Sequence, residues 1–134
     1  MSDQPAERFG FTKLLVADLE ASLAFYSSVF GFSESTRVQA EIADRPIDEI
    51  ILTSPVAGAP TLVLLRYADV TAVSSGEVIL GFITSDADAL VARALAAGGS
   101  VVRTPELNEH AGGVRVGFIA DNEGHLIELV ETAG

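Results

Sequence analysis

Hydrophobic positions change period along this chain, and they do so twice in the same order. Residues 9–17, FGFTKLLVA, form a short apolar run compatible with a β-strand, and Asp18 then stands where a helix N-cap belongs. Over LEASLAFYSSVFGF the positions Leu19, Leu23, Tyr26 and Phe30 recur at helical spacing, and Gly31 supplies a left-handed stop. That stripe is the helix's core face. Strands are predicted near 33–43 and 47–54, with Arg45 and Pro46 at their turn, and TLVLLRY follows the loop SPVAGAP as a further strand. A shift of 68 residues brings the βαβββ order round again. ILGFITSDADALVARALAAGGS repeats strand, cap, amphipathic helix and glycine stop, so that Asp18 meets Asp86, Leu14 meets Phe82 and Gly31 meets Gly99. VVRTPE, an apparent loop LNEHAGG, the strand VRVGFIA, the turn DNEG and the strand HLIELVE complete the second half. The expected organisation is one domain over residues 1–134: module one at about 9–67, a linker at about 68–77 and module two at about 78–131.

Composition then narrows the partners. A chain of 134 residues that is 49% hydrophobic buries a real core, and disorder of the whole is excluded. Its 8 basic and 19 acidic residues give a net charge of −11, which repels nucleic acid and anionic membrane and attracts cations. There is no cysteine for a disulfide, a thiolate metal site or a nucleophile, and no apolar run approaches a membrane span. A cytoplasmic protein is the expectation, with no nucleic acid and no membrane among its partners. Covalent catalysis has no visible nucleophile, and neither a phosphate-cradling glycine motif nor HExxH occurs.

The closing stretch DNEGHLIELVE holds the first candidate chemistry. At period two Leu126, Glu128 and Val130 share one face, so Glu128 is an acid flanked by apolar side chains. Three uses stay open for it: binding a cationic or hydrogen-bonding group of a ligand, moving a proton as general acid or base, or resting against a polar neighbour. His110, in the Gly-flanked NEHAGG loop, is a candidate acid/base or ligand contact that closes over a cleft; an exposed loop histidine is the plainer reading. His125 follows the glycine of the closing turn, with parity opposite to Glu128, and reads as a turn or capping residue. Arg66 shares the face of Leu64 and can reach a ligand anion or Glu128, and Arg115 can do likewise from the other half; both can equally extend to solvent.

VADLEASLAFYSSVFGF, DADALVARALAAGG and DNEGHLIELVE, in this order, resemble the strand-to-helix units and closing turn of the vicinal oxygen chelate superfamily. That superfamily includes glyoxalase I, extradiol dioxygenases, fosfomycin-modifying enzymes and bleomycin resistance proteins. The resemblance runs over roughly residues 9–131. It implies an α+β fold of two tandem βαβββ modules, whose curled mixed sheets surround a cleft commonly completed in a homodimer. In metal-dependent members four strand positions facing the cleft supply His, Glu or Gln to one divalent ion. Matched position by position, those seats fall on Phe11, Leu64, Ile79 (or its neighbour Leu80) and Glu128. Only Glu128 can donate an electron pair, so no metal and no other cofactor are expected. Phe11, Leu64 and Ile79 become apolar walls, with Glu128, Arg66 and Arg115 as polar ligand contacts. The function this implies is metal-free binding of a small hydrophobic molecule, neutral or cationic. The alternative is a glyoxalase-like lyase or isomerase, or a dioxygenase-like enzyme, with a displaced metal site or with Glu128 and His110 as catalytic acid and base.

Overall fold

Asp18 begins the first helix as its pattern requires: its carboxylate accepts from the backbone N–H of Ala21 at 3.0 Å, satisfying one of the unpaired first-turn donors. In the computed structural model, which describes residues 5–71 and 73–132, helix α1 spans Leu19–Phe30 and ends on Gly31 at φ 76°. Strand β1 (Phe11–Leu15) precedes it, and β2 (Ser33–Ile42), β3 (Arg45–Thr53) and β4 (Thr61–Tyr67) follow. The second half repeats this with β5 (Ile79–Thr84), α2 (Ala87–Ala96), β6 (Ser100–Asn108), β7 (Val114–Ala120) and β8 (Leu126–Glu131). Asp86 caps α2 by accepting from Ala89 N–H at 3.0 Å.

Three local expectations shift. The β2–β3 turn lies at Ala43 and Asp44, both left-handed at φ 50° and 65°, rather than at Arg45 and Pro46, which begin β3. In the second helix the left-handed residue is Gly98 at φ 95°, one position before Gly99, the repeat partner of Gly31; the Gly99 N–H donates to the Ala94 carbonyl at 2.8 Å. Gly99 is required for close approach instead, since a Cβ there would sit 2.7 Å from the Ala120 carbonyl and 2.8 Å from the Phe25 ring. Finally, LNEHAGG is only partly loop: β6 runs to Asn108, and a single 3₁₀ turn covers Glu109–Ala111.

Each half forms its own mixed sheet, in strand order β1-β4-β3-β2 and β5-β8-β7-β6, with β1 parallel to β4 and β5 parallel to β8. Leu14 pairs with Leu64 in one and Phe82 with Leu129 in the other, so the sequence repeat is also a repeat of register. One face of each sheet carries the aliphatic residues that meet the helices. Leu14, Ile50 and Leu64 from the first sheet join Ile119, Ile127 and Leu129 from the second in a single core, with Phe25, Tyr26, Leu90 and Ala94 between them. Phe30 and Phe82 stack across the modules with ring centroids 3.8 Å apart. Among the described residues no helix is long and apolar enough to cross a membrane.

Candidate functional site

Because the helix-facing sides of both sheets are spent on the shared core, the chemistry available for a ligand lies mainly on the opposite, outer faces. On the first sheet cross-strand register puts Phe11 opposite Thr61, Lys13 opposite Val63, and Leu15 opposite Leu65, which in turn faces Glu49. On the second it aligns Gly81, Glu128 and Phe118 in one row that continues to Arg103. Phe11 and Ile79 are 55% and 57% exposed on these faces, at the edge strands β1 and β5, and Glu128 is half-buried.

Leu64 departs from the expectation. It is 0% exposed and points into the helix-side core, because it pairs with Leu14 and Ile50 and so has the opposite parity to Phe11. Val63 is the first-sheet counterpart of Glu128 in the repeated register, and it too is apolar. Within one chain Phe11 is therefore on one sheet, Ile79 and Glu128 on the other, and Leu64 on neither outer face.

The two arginines are occupied elsewhere. Arg66, on Leu64's face, lies 3.9 Å from Asp48 and does not meet Glu128. Arg115 is bound by Asp88 at 3.1 Å and Glu131 at 3.2 Å, and donates to the Pro105 carbonyl at 3.0 Å, tying β7 to β8, β6 and the first turn of α2. Those hydrogen bonds, to Asp88 first and Glu131 second, raise its pKa further. His110 is exposed on the 3₁₀ turn and lines a pocket of about 380 Å³ with Arg103, Glu106, Val116 and Phe118. Phe118 is the direct cross-strand neighbour of Glu128, so His110 stands on the same outer face as that acid.

His125 does more than end a turn. It is 3% exposed, its Nδ1 lies 2.9 Å from Asp121 Oδ2, and its Nε2 lies 3.0 Å from the Leu15 carbonyl in the other module. A ring whose two nitrogens face a carboxylate and a carbonyl has donors to give on both sides only as imidazolium. The hydrogen bond to Asp121 raises the His125 pKa above its ordinary value despite burial. Burial alone would raise Asp121, yet donors from His125, Tyr26 and the backbone of Glu123 and His125 hold it below the usual carboxylate range. Tyr26 donates its hydroxyl to Asp121 at 2.8 Å, and burial first, then the Asp121 charge, pushes its own pKa up. Glu123 completes this interlock by accepting from the N–H groups of Ala17 and Asp18, each at 2.8 Å. The polarity of DNEGH is thus used to fasten the modules.

Two residues absent from the sequence-based candidates stand out. Lys13 and Glu49 meet at 3.0 Å on the outer face of the first sheet, with Glu49 8% exposed. The signal was present: Glu49 sits between Ile47 and Ile51 at period two, as Glu128 sits between Leu126 and Val130. A separate apolar groove of about 860 Å³ runs between Thr12 and Leu62 on one side and Ile79 to Ile83 on the other. It includes Ile79 but reaches neither Phe11 nor Glu128.

A divalent metal does not fit this donor set. Phe11, Ile79 and Val63 offer no lone pair, Glu128 has Gly81 and Phe118 as its cross-strand neighbours, and among the described residues no three His, Cys, Asp or Glu side chains are grouped so that they could hold a metal ion.

Residues 8–129 match the family model described as Glyoxalase/Bleomycin resistance protein/Dioxygenase superfamily. Among curated proteins none matches. Among solved structures, a glyoxalase family protein from Bacillus cereus superposes with a TM-score of 0.80 at 20% identity, covering 100% of this chain and 99% of that one. Glyoxalase I from Zea mays gives 0.76 at 21% identity, over 95% of this chain and 45% of that one, so the present chain spans about half its length. A glyoxalase/bleomycin resistance protein/dioxygenase family enzyme from Burkholderia phytofirmans gives 0.69 at 19% identity, over 93% and 98%.

Proposed function

Since this chain belongs to the glyoxalase/bleomycin resistance protein/dioxygenase superfamily, we propose that it is a cytoplasmic homodimer that binds a small hydrophobic molecule, neutral or cationic, without a metal. The observation that carries this reading is the chemistry of the outer faces. Where a metal would need donors stand Phe11, Val63 and Ile79, and the remaining acid, Glu128, lies between Gly81 and Phe118 in a row whose far end is Arg103. Such a surface suits an apolar body with one hydrogen-bond-donating or cationic group directed at Glu128. The cleft is completed when the first sheet of one chain faces the second sheet of another, which brings Phe11 to Ile79 and Glu128. Support for the second chain comes from β1 and β5, both edge strands, where Phe11, Leu15, Ile79 and Ile83 are exposed.

A second reading draws on His110. Its place near Phe118, on the same outer face as Glu128, suits a lyase or isomerase in which carboxylate and imidazole exchange a proton with the substrate. Elemental analysis after dialysis, followed by a thermal-shift screen of small apolar cations and neutral aromatics, separates these readings from metal-dependent chemistry. The expected result is no stoichiometric divalent metal and stabilisation by at least one apolar compound. About one Ni, Zn, Fe or Mn per chain, with chelator-sensitive activity, overturns the metal-free reading.

A further inference from the structure

Lys13 is on an edge strand, where a long cation ordinarily extends to solvent with only its stem on the protein. Here it turns inward. Its ammonium crosses β4, passing Val63 and Leu65, to reach Glu49 on β3, two strands and roughly 10 Å away in backbone terms. The two side chains are 36% and 9% exposed. Glu49 is thus a nearly buried carboxylate at the centre of an aliphatic face, with Ile47 and Ile51 on either side along its strand. Removing a carboxylate from water is costly unless a cation or donors meet it. Among the described residues Lys13 is the single side chain that does so.

We propose that Lys13 and Glu49 are a neutral two-part anchor for a primary carboxamide, or a head group of the same donor–acceptor form, on an apolar ligand. An ammonium has three N–H donors and a carboxylate two oxygens, and their mutual contact uses one of each. What remains is a donor beside an acceptor, the complement of an amide that offers C=O to Lys13 and N–H to Glu49. A carboxylate ligand would meet Lys13 but repel Glu49, and an ammonium ligand would do the reverse. Exposed Phe11 and Leu15 provide the apolar seat for the rest of the molecule, while Val63 and Leu65, 4% and 1% exposed, form the packed layer between Lys13 and Glu49. The inference rests on the reading of the outer faces as the small-molecule surface, and adds the ligand group that the first sheet selects.

The test is an amide NMR titration of the isotope-labelled full chain with benzamide, using benzoate and benzylamine as controls that share the ring. Benzamide is expected to shift resonances of β1, β3 and β4, with affinity in the millimolar range fitting so small a ligand. It should bind about tenfold more tightly than either control, the scale of one charge-assisted hydrogen bond. Glu49→Gln should weaken it by a similar factor. Lys13→Met leaves a buried acid unpaired and risks the fold, so the double variant Lys13→Met/Glu49→Leu, which removes both polar halves, serves as the second check and should abolish the selectivity. Equal or tighter binding of benzoate or benzylamine overturns the carboxamide anchor, as does undiminished benzamide binding in the double variant. Shifts confined to β7 and β8 sink the anchor while leaving the small-molecule reading standing. No shift with any of the three probes sinks the anchor, whereas the wider reading is decided by its own ligand screen.

Discussion

Glu128 and His125 are three residues apart, and the proposed function gives Glu128 a duty opposite to the fastening role of His125. Glu128 is half-buried on an outer face, and replacing it by Gln keeps its shape while removing its charge. The expected outcome is a melting temperature within about 2 °C of the parent and a loss of roughly tenfold or more in affinity for a cationic ligand found by screening, read by calorimetric titration. A large fall in melting temperature with binding unchanged would make Glu128 a structural acid. His125 is the reverse case: the folded state raises its pKa above the ordinary 6.5 and lowers that of Asp121 below 3.8. The histidine's contribution is complete below 6.5 and is lost as pH climbs through the raised folded value. The aspartate's is complete above 3.8 and is lost as pH falls through its lowered folded value. Thermal melts should therefore be highest between those two values and decline on the alkaline side. His125→Gln, which removes the titration, should lower the maximum by about 1–3 kcal/mol and flatten that alkaline decline. An unchanged alkaline limb in the variant would place the pH dependence elsewhere.

Among the elements, the glycines separate turn chemistry from packing. Gly99 has no left-handed backbone, yet a methyl there meets the Ala120 carbonyl at 2.7 Å, and a backbone atom cannot swing aside as a side chain can. Gly99→Ala should cost about 1–3 kcal/mol in denaturant unfolding, through the junction of α2 and β6 with β7 and α1. Gly81→Ala is the matched control: it lies in β5 beside Glu128, and a Cβ there meets nothing within 4 Å. Its stability should stay within about 0.5 kcal/mol of the parent. A comparable loss at both positions would show that the close approach at Gly99 is not what fixes it.

At the level of the whole molecule, the modules share one core but leave apolar side chains exposed along two edge strands, Phe11 and Leu15 on β1 and Ile79 and Ile83 on β5. Ile83, 77% exposed on β5, makes the edge testable without touching the core. Ile83→Glu should leave the circular dichroism spectrum and melting cooperativity of the chain intact while shifting its sedimentation from dimer toward monomer at micromolar concentration, because a charge on an apolar edge must be desolvated on pairing. A parent chain that sediments as a monomer throughout would remove the second chain from the proposed cleft.

What was legible in the sequence followed from local periodicity. Strand, N-cap, helix stripe and αL stop are set by neighbours within a few residues, so both βαβββ halves could be read from FTKLLVADLEASLAFYSSVFGF and its partner 68 residues on. The parity of Phe11 and of Glu128 within their own strands was equally local. Tertiary structure decided everything that depends on which face of a strand meets the helices. Leu64 belongs to the core because β4 is registered on Leu14 and Ile50, a fact fixed by partners far along the chain. Lys13 and Glu49 are 36 residues apart, and nothing in either segment reveals that a third strand lies between them with the spacing a lysine can cross. His125 likewise reads as a turn residue until the other module's Leu15 carbonyl is brought to its ring. Periodicity specifies which side chains share a face; only the packed chain determines what that face is turned toward.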